Sequence, residues 1–244
     1  MTKPLTYPRR GLHGEVVHTI GLQIVGGTIQ PGDPLPPEDE LTSNLAVSRT
    51  VLREAVRVLA AKGLVEARPK IGTRVRARSE WNVLDPDVLS WRAEAANDRQ
   101  LYEDTTEVRL AIEPLAARLA ASRASADETA AIAEAFEAME AGVDDQDAYL
   151  AADLRFHALI LSACHNELLG HLGGVLRAVL RTTFVLTTTP KRSRKRALPL
   201  HRAILDEIAA RNGDGAEAAT KILIADTAAD IKRIAPKDGK KPRS

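Results

Sequence analysis

Two groups of residues have the types and spacing to do chemistry. The first begins with Asp153-Leu154-Arg155-Phe156-His157, which sets a carboxylate and an imidazole four residues apart on one helix face. That spacing suits two ligands to one metal ion, or two groups holding one polar ligand. His201, on a later helix, is placed to converge on them. Arg109 sits among apolar Val108, Leu110 and Ala111, with Glu113 four residues on. A guanidinium there can clamp a small carboxylate bidentately or pair with Glu113. By spacing alone, an Asp-x-x-x-His pair reads as a cap or a surface pair.

The second group is a row of cations. Arg49, Arg53 and Arg57 follow one another at four-residue intervals, along one side of a helix that Ser48 would cap. A helix entering the major groove touches base edges with its first turns, here Ser48, Arg49, Thr50 and Arg53. Arginine can bond guanine O6 and N7 bidentately, and Ser or Thr can hold phosphates or bases. Taken singly, each arginine merely solvates a helix face. A second set of basic residues follows within a short hairpin: Arg68, Lys70, Arg74, Arg76 and Arg78, with Gly72 allowing close backbone approach. The joint pattern points to duplex DNA.

The elements that must position these groups can be read from periodicity and breakers. Apolar residues Val16, Ile20 and Ile24 predict a first helix over residues 12–25, stopped by Gly26-Gly27. Four prolines within residues 31–37 forbid a helix and build a rigid turn. Pro37 and the acids Glu38, Asp39 and Glu40 then open a short second helix. The third runs from Arg49 to Lys62 and stops at Gly63. Two strands, 64–67 and 73–76, flank a turn at 68–72 and form a small basic wing. The segment 81–91 carries both tryptophans, and reads as a connector whose rings dock on a second domain. Beyond it the pattern is helical only, over 101–122, 126–142, 146–164, 166–188, 194–212 and 214–234. The basic run Lys191 to Arg196 reads as a solvated loop between two of these helices.

Composition agrees. The 244 residues are 44% hydrophobic and 27% charged, enough apolar surface for one large or two ordinary domains. Aromatics are only 3%, so the core is aliphatic and favours helices. A single cysteine, Cys164, excludes a disulfide framework and any CxxC site. No secretory leader or membrane-spanning stretch is evident, so a cytoplasmic chain with no membrane partner is expected. The net charge of +1 hides a division. Residues 1–80 hold 12 basic against 8 acidic residues, 81–190 hold 8 against 18, and 191–244 hold 14 against 7. An acidic middle between basic ends implies regions with different partners.

The stretch PLPPEDELTSNLAVSRTVLREAVRVLAAKGLVEARPKIGTRV resembles the N-terminal domain of the GntR family of bacterial transcription regulators. The resemblance covers about residues 11–77 and implies that Arg49, Arg53 and the wing contact operator DNA. The family often carries an arginine where this chain has Asp39, and an acid there would repel phosphate. EVRLAIEPLAARLAA, DLRFHALILSACHN and LHRAIL resemble the helical effector-binding FCD domain of FadR-type members. Members commonly hold a divalent metal, zinc or similar, through an Asp, the His four residues on and two later His. Asp153, His157 and His201 match three of those positions, and Asp226 stands at the fourth, either as a carboxylate ligand or as the mark of a subgroup that binds the organic acid without metal. The connector, with Asp153, His157, Asn166 and His201, is similar to that of sugar-acid regulators within the family. The resemblance implies a hexonate-like effector held by Arg109, Asp153, His157, Asn166 and His201.

The expected fold is therefore mainly α. Residues 1–78 form a winged helix-turn-helix of three helices and a hairpin wing, and 79–100 a connector. Residues 101–235 form an all-α bundle that binds effector and dimerises, and 236–244 a basic tail. The expected function is a homodimeric, ligand-responsive repressor of a sugar-acid operon, released from a pseudo-palindromic operator by a small carboxylate. The rival reading is a metal-dependent enzyme acting on a small organic acid through Asp153, His157 and His201. The chain lacks HExxH, a Ser-His-Asp order and a Gly-rich phosphate loop, so a non-enzyme is expected.

Overall fold

The computed structural model describes residues 11–68, 72–95, 99–170, 172 and 191–234. The chain divides into two compact units, Met1–Asp98 and Arg99–Ser244.

In the first unit, α1 (Leu12–Val25) buries Val16, Val17, Ile20 and Ile24. It ends at Gly26, and Gly27 takes a positive φ of 79°. α2 (Glu38–Asn44) begins just after Pro37 with three acids in its first turn. α3 (Arg49–Ala61) is capped by Ser48, whose hydroxyl accepts from the Val51 N–H at 3.3 Å. Its apolar stripe, Leu52, Ala55 and Leu59, is buried, and its arginines face outward. Gly63, at φ 75°, turns the chain into β1 (Val65–Arg68), which pairs antiparallel with β2 (Gly72–Val75) in the register Val65 to Val75 and Arg68 to Gly72. The proline-rich segment lies along β2: the Leu35 N–H donates to the Thr73 carbonyl and the Val75 N–H to the Asp33 carbonyl. The wing is thereby anchored at its base.

Residues 78–95 complete this unit. A 3₁₀ turn at Arg78–Glu80 leads through Trp81 to α4 (Pro86–Ala95). Contrary to the expectation that the two indoles dock on the second domain, both are buried in the core of the first. Trp81 Nε1 donates to the Arg76 carbonyl at 3.0 Å, and Trp91 Nε1 donates to His18 Nδ1 at 2.9 Å. The physical reason lies at Gly21, where a Cβ would stand 2.6 Å from the Trp91 ring. The missing side chain makes the socket. Lys62 adds ion pairs to Asp85 at 2.9 Å and Asp87 at 2.6 Å, which fix α4 against the end of α3. Gly21→Ala should destabilise this unit by about 1–3 kcal/mol through overpacking. A lower urea midpoint, read by tryptophan fluorescence, checks it.

The second unit is all helical in its described residues: α5 (Arg99–Arg123), α6 (Ala126–Ala141), α7 (Gln146–Ala163), α8 (Lys191–Ala209) and α9 (Gly213–Ile234). Ser125 and Glu128 form a reciprocal capping box on α6, and Asp145 caps α7. The core is built from small and aliphatic residues, including Ala117, Ala121, Ile132, Ile204 and Leu223, with Phe136 and Phe156. Of the helix expected over 166–188, residues 167–170 and 172 are helical, and most of the rest lies outside the described residues, as do Lys70 and the tail at 236–244. The basic run at 191–196 is not a loop. It is the first turns of α8, where Arg194 is buried against the protein rather than solvated. No helix among the described residues is long and apolar enough to cross a membrane.

Candidate functional site

The DNA-facing candidates lie together on the first unit. Ser48, Arg49, Thr50 and Arg53 are exposed on the first turns of α3. The acids of α2 reach across to them. Asp39 accepts from Arg49 at 2.7 Å, and Glu38 accepts from both Nε and an Nη of Arg53, at 3.0 and 3.3 Å. The expectation that Asp39 simply repels phosphate is thus incomplete, because its charge is spent on an arginine of the reading helix. Gly72 has φ +92° with open space where a Cβ would be, so backbone there can approach a neighbour closely. Arg74 shares Glu66 with Arg68. A cleft of about 630 Å³ between α2, α3 and the wing is lined by Arg53, Arg57, Gly72 and Thr73.

The second unit holds the polar cluster. Asp153 and His157 point from one face of α7 and His201 comes from α8. One ligand atom from each lies within 4.8 Å of the others, and all three residues are buried. Asp153 Oδ1 is 2.9 Å from His201 Nε2 and 3.7 Å from His157 Nε2. The outer ring nitrogens have acceptors. His201 Nδ1 faces the Ala197 carbonyl at 2.9 Å, and His157 Nδ1 faces Glu113 Oε2 at 3.2 Å. Each acceptor favours the tautomer protonated on Nδ1, in which Nε2 is the ligand atom turned towards Asp153. Asp153 Oδ1 is buried without a well-aligned hydrogen bond. Two inward lone pairs and a carboxylate oxygen form a donor set that fits a divalent cation.

Arg109 pairs with Glu113, Nε to Oε1 at 2.7 Å, and both are almost fully buried. Burial alone would raise the Glu113 carboxyl, but Arg109 and then His157 overcome it and hold the group at about 2. Arg109, Asp153, His157 and His201 line one cavity of about 30 Å³, on the scale of an ion or a water molecule. Asp226 lines it too, but its carboxylate accepts from Arg196 at 3.0 and 3.1 Å, and Asp230 takes a further bond from the same guanidinium. The structure does not bring Asn166 to this cavity. Its side-chain oxygen accepts from the Leu168 and Leu169 N–H groups and caps the helical turn there.

Sequence reasoning missed Tyr149 and Arg194, which line the cavity, and the bridging place of Glu113. Arg194 gave a signal only as part of a basic run. Tyr149 had one available: it stands four residues before Asp153, on the same face. Burial, and next the Asp153 charge, push its phenol above the usual range, so it remains a protonated donor.

A winged helix-turn-helix with an arginine-lined reading helix, followed in the chain by a helical unit with an internal polar cavity, defines a DNA-binding transcription regulator. Residues 12–75 match the family described as bacterial regulatory proteins, gntR family, and residues 104–226 match the FCD domain. The chain belongs to the GntR family, in its FadR-type branch. The galactonate operon transcriptional repressor of Escherichia coli (strain K12) is 38% identical over 220 residues, 90% of this chain and 96% of that one. The HTH-type transcriptional regulator LutR of Bacillus subtilis (strain 168) is 31% identical over 201 residues, 80% and 90% of the two chains. The solved structure of Lar from Listeria monocytogenes covers 93% of this chain and 100% of its own, with a TM-score of 0.65 at 19% identity, a shared fold. These matches are to regulators, and the enzymatic reading of Asp153, His157 and His201 finds no support in them.

Proposed function

We propose that the protein represses a sugar-acid operon as a homodimer, and that a small carboxylate bound in the helical unit releases it from a pseudo-palindromic operator. In the winged unit, Arg49 and Arg53 read base edges. Ser48, Thr50, Lys70, Gly72 and Arg74 hold the backbone. In the helical unit, Asp153, His157 and His201 hold a divalent cation, with Asp226 at the cavity's edge. The effector binds beside it within reach of Arg109. Asn166 serves as a helix cap.

One observation carries the cation. Three arginines, Arg109, Arg194 and Arg196, stand with four carboxylates, Glu113, Asp153, Asp226 and Asp230, in and around the cavity. Those seven side chains by themselves carry one more negative than positive charge, a balance that repels an anionic effector. A bound divalent ion supplies the positive centre that a carboxylate oxygen can approach. The galactonate repressor relative supports a sugar acid as that anion. Binding alters DNA affinity only by its differential affinity for the DNA-competent and released states.

The test is binding of the full chain to duplexes selected from a random library, followed by fluorescence anisotropy. A steep loss of affinity with added salt and release by a sugar acid are expected. Arg49→Ala should cost about 1–3 kcal/mol and relax selectivity at one base position per half-site. Equal affinity for every base at all positions would remove Arg49 from the reading surface.

A further inference from the structure

We propose that the Tyr149 hydroxyl donates a hydrogen bond to an end-group oxygen of the oxygen-rich anion held at the cavity of the helical unit, and so helps choose it. The proposal rests on the reading of that cavity as the effector site.

Tyr149, Asp153 and His157 occupy successive four-residue steps along α7 and form one stripe on its inner face. Tyr149 is 1% exposed and belongs to the core, where a phenylalanine would fill the same space. Its hydroxyl has no hydrogen-bond partner among the described residues, although it lines the cavity with Asp153 and Arg194. A buried hydroxyl left this way costs stability, and folded proteins rarely keep one without a use. The cations around it are already engaged with the protein. Arg109 donates to Glu113, Arg194 to the Val143 carbonyl, and Arg196 to Asp226 and Asp230. The phenol is a neutral donor still uncommitted, next to the Asp153, His157 and His201 cluster that fits a cation. Its complement is an acceptor oxygen, either of a carboxylate or of a hydroxyl one carbon away. A hydroxy acid offers both, while a purely apolar ligand offers neither.

The test compares the full-length wild type with Tyr149→Phe, each zinc-loaded, against galactonate, gluconate, lactate and glycolate in thermal-shift and calorimetric titrations. The ligand-free melting temperature of the variant should equal or exceed that of wild type, because it loses a polar atom that has no partner. Zinc affinity should change less than about threefold. The dissociation constant for the acid that wild type binds best should rise about tenfold or more. An unchanged constant overturns the proposal while leaving the effector reading intact. A ligand-free melting temperature lower by more than about 5 °C also overturns it, since the hydroxyl would then be a structural group. If none of the four acids binds wild type, the effector reading fails, and the proposal with it.

Discussion

Glu113→Gln is expected to destabilise the helical unit by about 3–5 kcal/mol, the usual result of removing one partner from a buried ion pair. The carboxylate holds Arg109 through two contacts and faces the His157 ring at 3.2 Å, all within a region closed to solvent. The amide conserves shape but strips the charge. Replacing both members, as Arg109→Met with Glu113→Leu, should recover most of the loss, because two buried charges leave together. Chemical denaturation of the chelator-treated protein, followed by far-ultraviolet circular dichroism, measures both variants. If the double variant proved no more stable than the single one, the ion pair would not be the source of the loss.

The same group gives a pH dependence of defined sign. Its carboxyl titrates at about 2 in the folded protein against 4.5 ordinarily. A depressed folded value means the contribution is fully present above the ordinary value and disappears as pH falls from about 4.5 towards 2. It amounts to about 3 kcal/mol at neutral pH. Glu113→Gln should therefore flatten the acid side of the stability curve within that window. Unfolding midpoints at pH 5, 4 and 3 would show the difference between the two proteins shrinking with acid. A constant difference would place the group's titration elsewhere.

Local chemistry made part of this legible. The cap at Ser48, the stop at Gly63 and the alternation of Leu64 to Val75 are decided by neighbours in sequence, so α3 and the wing could be drawn in advance. Asp153 and His157 were also within reach, since a helix turns four residues of separation into one face. What stayed hidden depends on distant pairing. Arg196 meets Asp226 across 30 residues and Glu113 meets His157 across 44, and no spacing rule carries such information. The sequence sends the Trp91 ring to a second domain because no spacing rule pairs it with Gly21, 70 residues earlier, whose missing side chain makes room for the indole. Asn166 entered the effector set by resemblance, and here its oxygen serves the backbone. Asp39 was judged by the phosphate it would meet, when Arg49 lies between them in the charge balance.

Asp153→Ala should lower zinc affinity more than a hundredfold, an effect larger than the roughly 10- to 100-fold usual for an outer partner. Asp153 is the only carboxylate within the converging trio, and without it the two inward nitrogens keep geometry but lose the charge that draws the ion from water. The consequence for regulation separates two chemistries. If the effector is held through the ion, Asp153→Ala and chelation of wild type should each abolish acid-induced release, while binding to the operator in the absence of acid persists on the winged unit. If the imidazoles and Arg109 grip the acid directly, chelation should leave release undiminished. Operator anisotropy with and without chelator, run beside zinc titrations of both proteins, distinguishes them. The negative balance of three arginines against four carboxylates favours the first outcome. A naked carboxylate in that cavity would share it with the Asp153 carboxylate, while the Arg109 guanidinium is already paired with Glu113.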